Sequence, residues 1–217
     1  MEKNLLPKDP YNIVITGVGG QGNVMASRVL SNMMVKKGLQ VTIGETFGAS
    51  QRGSSVVTNI RISAKGIWSP QMPVGRADVV ISVEPVEAIR VLKKFGNDQV
   101  RVLTNTRPIY PLGVITGDEE YPDFESIQKT TRDLSARAWF IDATDIAVEL
   151  GNPILANIVM IGALSEIGDL PMDRDEFKTV LLQKLSEDKL AVNLKAFDAG
   201  ALACKERQEG EKSDVRG

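Results

Sequence analysis

A single three-layer α/β domain, with a mainly parallel or mixed sheet and a helical C-terminal part, is the fold class the sequence predicts. Three observations predict it. The stretch NIVITGVGGQGNVMASRVL, residues 12–30, runs from a β-branched segment through a glycine-rich turn into an amphipathic helix, the opening of a Rossmann-like β-α-β unit. Short apolar runs then alternate with helical patterns as far as residue 141, the order that builds a sheet covered by helices. At 217 residues, 42% hydrophobic and 25% charged, the chain has the size and apolar content of one full domain with a real core.

Each element follows from its local pattern. Ile13-Val14-Ile15 is the first strand, and Gly17-Val18-Gly19-Gly20-Gln21-Gly22 turns it into a helix over 22–37. That helix carries Val24, Met25, Val29, Leu30, Met33 and Met34 near helical spacing, and Gly38 stops it. LQVTIGETF is a second strand, followed by the small, polar loop GASQRGSS at 48–55. VVTNIRIS alternates as a strand, and ADVVISV is a continuous apolar strand of the kind buried on both faces. EPVEAIRVLKKFG is a helix opened by Pro85, basic in its last turn and ended by Gly96. QVRVLTNT is a strand, and in RPIYPLG two prolines set a fixed extended path. DFESIQKTTRDLSAR is helical and AWFIDA a strand. ATDIAVELG, NPILANIVMIGALSEIG and a pair spanning 173–205 supply the closing helices. Residues 1–10 are a polar lead, 11–206 the domain, and the charged ending 207–217 is expected to be a disordered tail.

Composition narrows the chemistry. The formal charge is −2, without the concentrated basic excess of a nucleic-acid binder. No apolar run is long enough to span a membrane and the start lacks a signal-peptide core, so a cytoplasmic location is expected. The chain has no histidine and one cysteine, Cys204. Zinc sites made of Cys and His, a Cys₄ iron–sulfur cluster and a Ser-His-Asp triad therefore cannot be built from this polypeptide. Cys204 lies in a helical pattern and reads as a half-buried structural thiol. No residue of this chain is assigned a catalytic or metal-binding role.

The glycine loop admits more than one use. Gly17, Gly19 and Gly22 match a dinucleotide-binding fingerprint, and Glu45 lies where an acid would meet a ribose. Against a nicotinamide stand Gln21 at the head of the helix, and a second loop that leads to a strand instead of a second helix. What remains is a helix N-terminus suited to a phosphate or carboxylate, from a ligand or from another chain. A free-standing NAD(P)-binding oxidoreductase domain and a non-enzymatic α/β scaffold are the alternatives.

In the order GVGGQG, GETFGASQRGSS, SVEPVEAIR, NTRPIYP and GNPILANIVMIGAL, from about Tyr11 to Leu170, the chain resembles the gamma-type subunits of 2-oxoacid:ferredoxin oxidoreductases. Within that family it is most similar to the small (beta) subunits of the indolepyruvate, or aryl-pyruvate, enzymes. The resemblance implies a complex that decarboxylates a 2-oxoacid oxidatively to its acyl-CoA and passes electrons to ferredoxin. It places thiamine diphosphate, Mg and [4Fe-4S] clusters on a large catalytic subunit, with CoA as a co-substrate near this chain. It assigns ligand or interface roles to Gly17, Gly19, Gly20, Gln21 and Gly22, and to Ser50, Gln51, Arg52 and Gly53, with Gly48 beside them. The family's second loop commonly carries a double glycine after the arginine; here Ser54 follows Gly53. Arg52 is the only cation in either loop, placed to pair with a carboxylate or phosphate.

Bland assignments cover the other conspicuous residues. Glu84 and Glu87 are helix-start carboxylates; Asn105, Thr106 and Arg107 end a strand at the ligand edge of the sheet, where turn chemistry explains Asn105 equally well; and Asp145 lies in a helix's first turn. Ile154, Ile158, Ile161 and Leu164, with Met33, Met34 and Met160, are core.

Overall fold

A computed structural model describes residues 5–47, 54–182 and 184–214. The β-branched opening forms β1 (Tyr11–Val18), buried along its whole length. It is followed by α1 (Asn23–Lys36), β2 (Gln40–Phe47), β3 (Ser55–Ser63), β4 (Val79–Ser82), α2 (Pro85–Phe95) and β5 (Arg101–Asn105). Then come α3 (Leu112–Thr116), α4 (Phe124–Asp133), β6 (Arg137–Ile141), α5 (Ala143–Glu149), α6 (Ala156–Ile167), α7 (Arg174–Leu181) and α8 (Glu187–Asp214). A 3₁₀ turn at Pro153–Leu155 leads into α6.

The strands form one sheet in the order β2-β3-β1-β4-β5-β6. β1, β4, β5 and β6 are parallel, whereas β3 runs antiparallel to both β1 and β2. Chain length explains the exception. Phe47 ends β2 and Ser55 begins β3, far short of the dozen or more residues a parallel crossover needs. The chain therefore returns antiparallel, and β3 is inserted between the two strands of the β1-α1-β2 unit.

Period-two alternation sends Ile13 and Ile15 to one face and Val14 to the other. The first face packs on α1, α6, α7 and α8 through Leu30, Met33, Met34, Met160, Phe177 and Phe197. The second packs on α2 through Val80, Val91, Phe95 and Val102, and α4 lays Phe124 edge-on against Phe140 of β6. These are the three layers expected.

Ile158, Ile161 and Leu164 are buried as expected, but Ile154, in the 3₁₀ turn, is 47% exposed. Cys204 is fully buried. Two helical features differ from the sequence expectation. Five residues after Pro111 close into α3, which Gly117 ends in the left-handed conformation (φ 84°), so the RPIYPLG path is extended only up to that proline. α8 continues to Asp214, through most of the segment expected to be a tail. Its Lys, Glu, Arg and Gln are good helix formers even without an apolar face.

Candidate functional site

The site is built at the carboxyl ends of the parallel strands. β1 leaves the sheet through α1 on one face, and β4 leaves through α2 on the other. The crevice between the ends of β1 and β4 is therefore the topological switch point, where ligands bind in open α/β sheets. Gln21 spans it. Its Oε1 accepts from the Val18 backbone N–H (2.6 Å) and its Nε2 donates to the Val83 carbonyl (3.0 Å). The amide is a strut between two strand ends; it does not cap α1 as the sequence suggests, and that place belongs to Gly22.

Each glycine of the first loop has its own reason. A Cβ on Gly17 would press on the Gln21 Oε1, at 2.6 Å, and on the Asn23 amide. Gly22 has φ +82° and faces the Asn157 amide, which donates to the Gln21 carbonyl at 3.3 Å. Gly20 has φ +101° with open space where a Cβ would stand. Its requirement within this chain is therefore conformational. Gly19 N–H donates to the Ser54 carbonyl at 2.9 Å.

This last bond places the second loop beside the first. Val18 pairs with Ser55 and Phe47 with Val56, so both ends of the second loop lie at the glycine-loop edge of the sheet. Gly48, Ser50, Gln51, Arg52 and Gly53 lie outside the described residues.

Val18, Gly19, Gly20, Gly22, Asn23 and Val24, with Val56, line a cavity of about 290 Å³ at the start of α1. The first-turn N–H groups of a helix have no intrahelical acceptor, and they bring a partial positive charge to this end. The Asn23 side chain is buried, with both amide atoms unpartnered, and the Asn157 Oδ1 is also unpartnered. Neither Asn23 nor Asn157 stands out in the sequence. One is an amide next to the glycine loop and the other lies in GNPILANIV, and only the fold brings the second to the same loop.

The other wall is acidic. Glu84 caps α2 by accepting from the Glu87 N–H (2.9 Å) and also accepts from the Tyr121 hydroxyl. Glu87 accepts from Ser55 Oγ (2.5 Å) and from Arg90 (2.6 Å), tying the start of β3 to α2. Both carboxylates are thus helix-start groups, as expected, and both are buried. Asn105 is more than a turn residue. It is buried, donates to the Val83 carbonyl and Thr144 Oγ1, and accepts from the Thr144 N–H, locking β5 to β4 and α5. Thr106 donates to Asp142, which Arg207 of α8 also meets, while Arg107 pairs with Asp145.

Burial raises the Glu84 carboxyl above its usual range, only partly offset by its hydrogen bonds to Tyr121 and Glu87. A carboxyl whose folded pKa is raised stabilises the fold most below its unfolded value. That contribution is lost as pH rises through the raised folded value. In Glu84→Gln, which never ionises, the thermal midpoint is expected to fall less than in the wild type from about pH 4.5 upward. Parallel midpoint curves in a pH series would contradict this.

The arrangement does not suit a private dinucleotide. Glu45 sits on edge strand β2, and β3 separates that strand from β1. A ribose-binding acid would thereby be displaced by about one strand spacing, ~4.8 Å, from its place beside the glycine turn. Among the described residues, no group of three or more His, Cys, Asp or Glu is arranged to hold a metal ion, and no helix is long and apolar enough to cross a membrane.

Comparison with known proteins agrees with this architecture. Residues 12–203 match the family model for pyruvate ferredoxin/flavodoxin oxidoreductase. The chain is 40% identical over 200 residues to indolepyruvate oxidoreductase subunit IorB of Pyrococcus horikoshii, covering 90% of this chain and 96% of that one. Its fold superposes on the pyruvate oxidoreductase subunit PORC of Thermotoga maritima with a TM-score of 0.67 at 22% identity, covering 89% of this chain and 96% of the other. A TM-score of 0.70 at 24% identity relates it to a chain of the 2-oxoglutarate:ferredoxin oxidoreductase of Magnetococcus marinus, whose structure holds 2-oxoglutarate, coenzyme A and succinyl-CoA; the match covers 92% of this chain and 32% of that one. The six-stranded sheet, the glycine turn at its switch point and these near full-length matches have one conclusion: the chain belongs to the pyruvate ferredoxin/flavodoxin oxidoreductase family.

Proposed function

We infer that this chain is the small subunit of an indolepyruvate (aryl-pyruvate) ferredoxin oxidoreductase and holds no redox centre of its own. The complex decarboxylates a 2-oxoacid oxidatively to its acyl-CoA and delivers electrons to ferredoxin. The near full-length likeness to IorB, at 40% identity, carries this reading. The residue inventory supports the division of labour. With no histidine and a single buried cysteine, the chain lacks the ligands for a Cys₄ cluster. The resemblance to the indolepyruvate enzymes assigns thiamine diphosphate, its Mg and the [4Fe-4S] clusters to a large catalytic subunit.

This chain's part is to complete a shared site from the carboxyl edge of its sheet. Gly17 to Gly22 present the positive end of α1, and the loop carrying Ser50, Gln51, Arg52 and Gly53 starts and ends beside it. The anion this edge suits is a phosphate of CoA or a carboxylate of the large subunit. Arg52→Ala is expected to leave the isolated chain's thermal midpoint unchanged and to lower complex yield or 2-oxoacid turnover about tenfold, the effect of losing one charge-assisted pair worth ~1.5 kcal/mol. Gly20→Val forces a β-branched residue to a positive φ, and its complex should lose turnover. Wild-type yield and rates in Arg52→Ala would refute the loop assignment.

A further inference from the structure

We propose that the excursion between β5 and α4, residues 108–122, is a docking platform for a cationic, partly apolar segment of the large subunit; the proposal rests on the subunit reading above. The excursion is built stiffly. Pro108 and Pro111 fix its path, Gly117 ends α3, and the N–H groups of Asp118 and Glu119 both donate to the Gly113 carbonyl, at 2.8 and 3.0 Å. Tyr110 and Tyr121 meet edge to face at 5.0 Å, and the Tyr121 hydroxyl is tied to the buried Glu84. This much order is spent on a segment whose apolar side chains face solvent. Ile109 is 40%, Tyr110 52% and Ile115 70% exposed. Exposed apolar residues clustered on a rigid, polar-rimmed surface mark an interaction site.

Charge selects the occupant. Residues 108–123 contain Asp118, Glu119, Glu120 and Asp123 and no lysine or arginine. Arg90, which lines the groove, is paired with Glu87, beside a second groove carboxylate, Glu84, and the flanking Arg107 is paired with Asp145. Glu119 and Glu120 rim a groove of about 410 Å³ whose apolar lining includes Val18, Val86, Ile109 and Val114. Val18 ends β1, so the groove opens at the same sheet edge as the glycine loop. A segment bearing lysine or arginine beside an apolar side chain is complementary to both features. An acidic segment would meet like charge.

The test uses the assembled complex. A zero-length carbodiimide joins carboxylates only to lysines in direct contact, and mass spectrometry reads the joined peptides. Glu119 or Glu120 is expected to be linked to a lysine of the large subunit. The double variant Glu119→Lys/Glu120→Lys should raise the dissociation constant of the complex at least tenfold, and Tyr110→Ala should weaken it in the same direction. The isolated Glu119→Lys/Glu120→Lys chain should keep the wild-type thermal midpoint, since both carboxylates lie on exposed residues. A complex that forms normally, leaves Glu119 and Glu120 unlinked and binds the charge-reversed chain within twofold of wild type would overturn the platform while leaving the subunit reading intact. Cross-links joining two copies of this chain through the same residues would overturn it in favour of self-association. If the wild-type chain bound no large subunit at all, the subunit reading would fall and the platform with it.

Discussion

Gly162→Ala is expected to lower the thermal midpoint of this protein by roughly 6–12 °C, the consequence of about 3 kcal/mol of overpacking. α6 and α8 cross with their backbones in contact. A Cβ on Gly162 would overlap the Phe197 carbonyl of α8, and a Cβ on Gly200 would overlap the Val159 carbonyl of α6. Each helix offers a carbonyl where the other has no side chain, and the glycine lies three residues from the carbonyl on both. One methyl group on either glycine therefore meets backbone, which cannot rotate aside as a side chain would. A mid-helix glycine costs about 1 kcal/mol of helix propensity, and here close packing returns that cost. Leu202→Ala, on the same helix but 57% exposed, is the control and should change stability by less than ~0.5 kcal/mol. Equal midpoints for Gly162→Ala and Leu202→Ala would show that the two helices separate without cost.

The second large effect is expected at Gln21, and the informative change is Gln21→Glu. The side chain keeps its length, and one oxygen still accepts from the Val18 N–H. The other now faces the Val83 carbonyl, where Nε2 had been a donor. Two acceptors facing one another at the switch point should cost about 2 kcal/mol and open the crevice that the strut holds closed. At neutral pH the assembled complex should lose most of its 2-oxoacid turnover, while far-ultraviolet circular dichroism of the chain is unchanged. Part of the turnover should return relative to wild type as pH falls through the introduced carboxyl's pKa, because a protonated acid donates again to Val83. Gln21→Met, which neither donates nor accepts well, should show the loss without the pH dependence. If Gln21→Glu were as active as wild type across the range, Gln21 would be an ordinary surface amide and the crevice would be held by other contacts.

Local patterns that repeat within a few residues were readable in the sequence. The β-branched run before the glycines, Pro85 at the first turn of α2 and the glycine stops at 38 and 96 all stand where the structure has them. The motif order was equally plain, since five separated segments recur in one sequence of positions. What could not be read was set by neighbours distant in the chain. Asn105 looked like turn chemistry because its partners, Val83 and Thr144, lie elsewhere in sequence. Gln21 looked like a cap for its own helix, and only the arrival of β4 beside β1 supplies the Val83 carbonyl it bonds. At Gly20 the surroundings within the chain are open, and the left-handed conformation that constrains it has no signature in local pattern. The insertion of β3 between β1 and β2, which moves Glu45 away from the glycine turn, is a matter of topology that local pattern does not encode.

The proposed function requires that this chain work only as part of a larger oxidoreductase and contribute no redox centre. Affinity purification of the tagged chain from its native host, followed by mass and ultraviolet–visible spectra of the eluate, tests it most directly. A stable large partner that brings iron–sulfur absorbance and bound thiamine diphosphate is expected, with both absent from this chain once it is stripped from that partner and repurified. A colourless chain that elutes alone, or a repurified chain that keeps the chromophore, would contradict it.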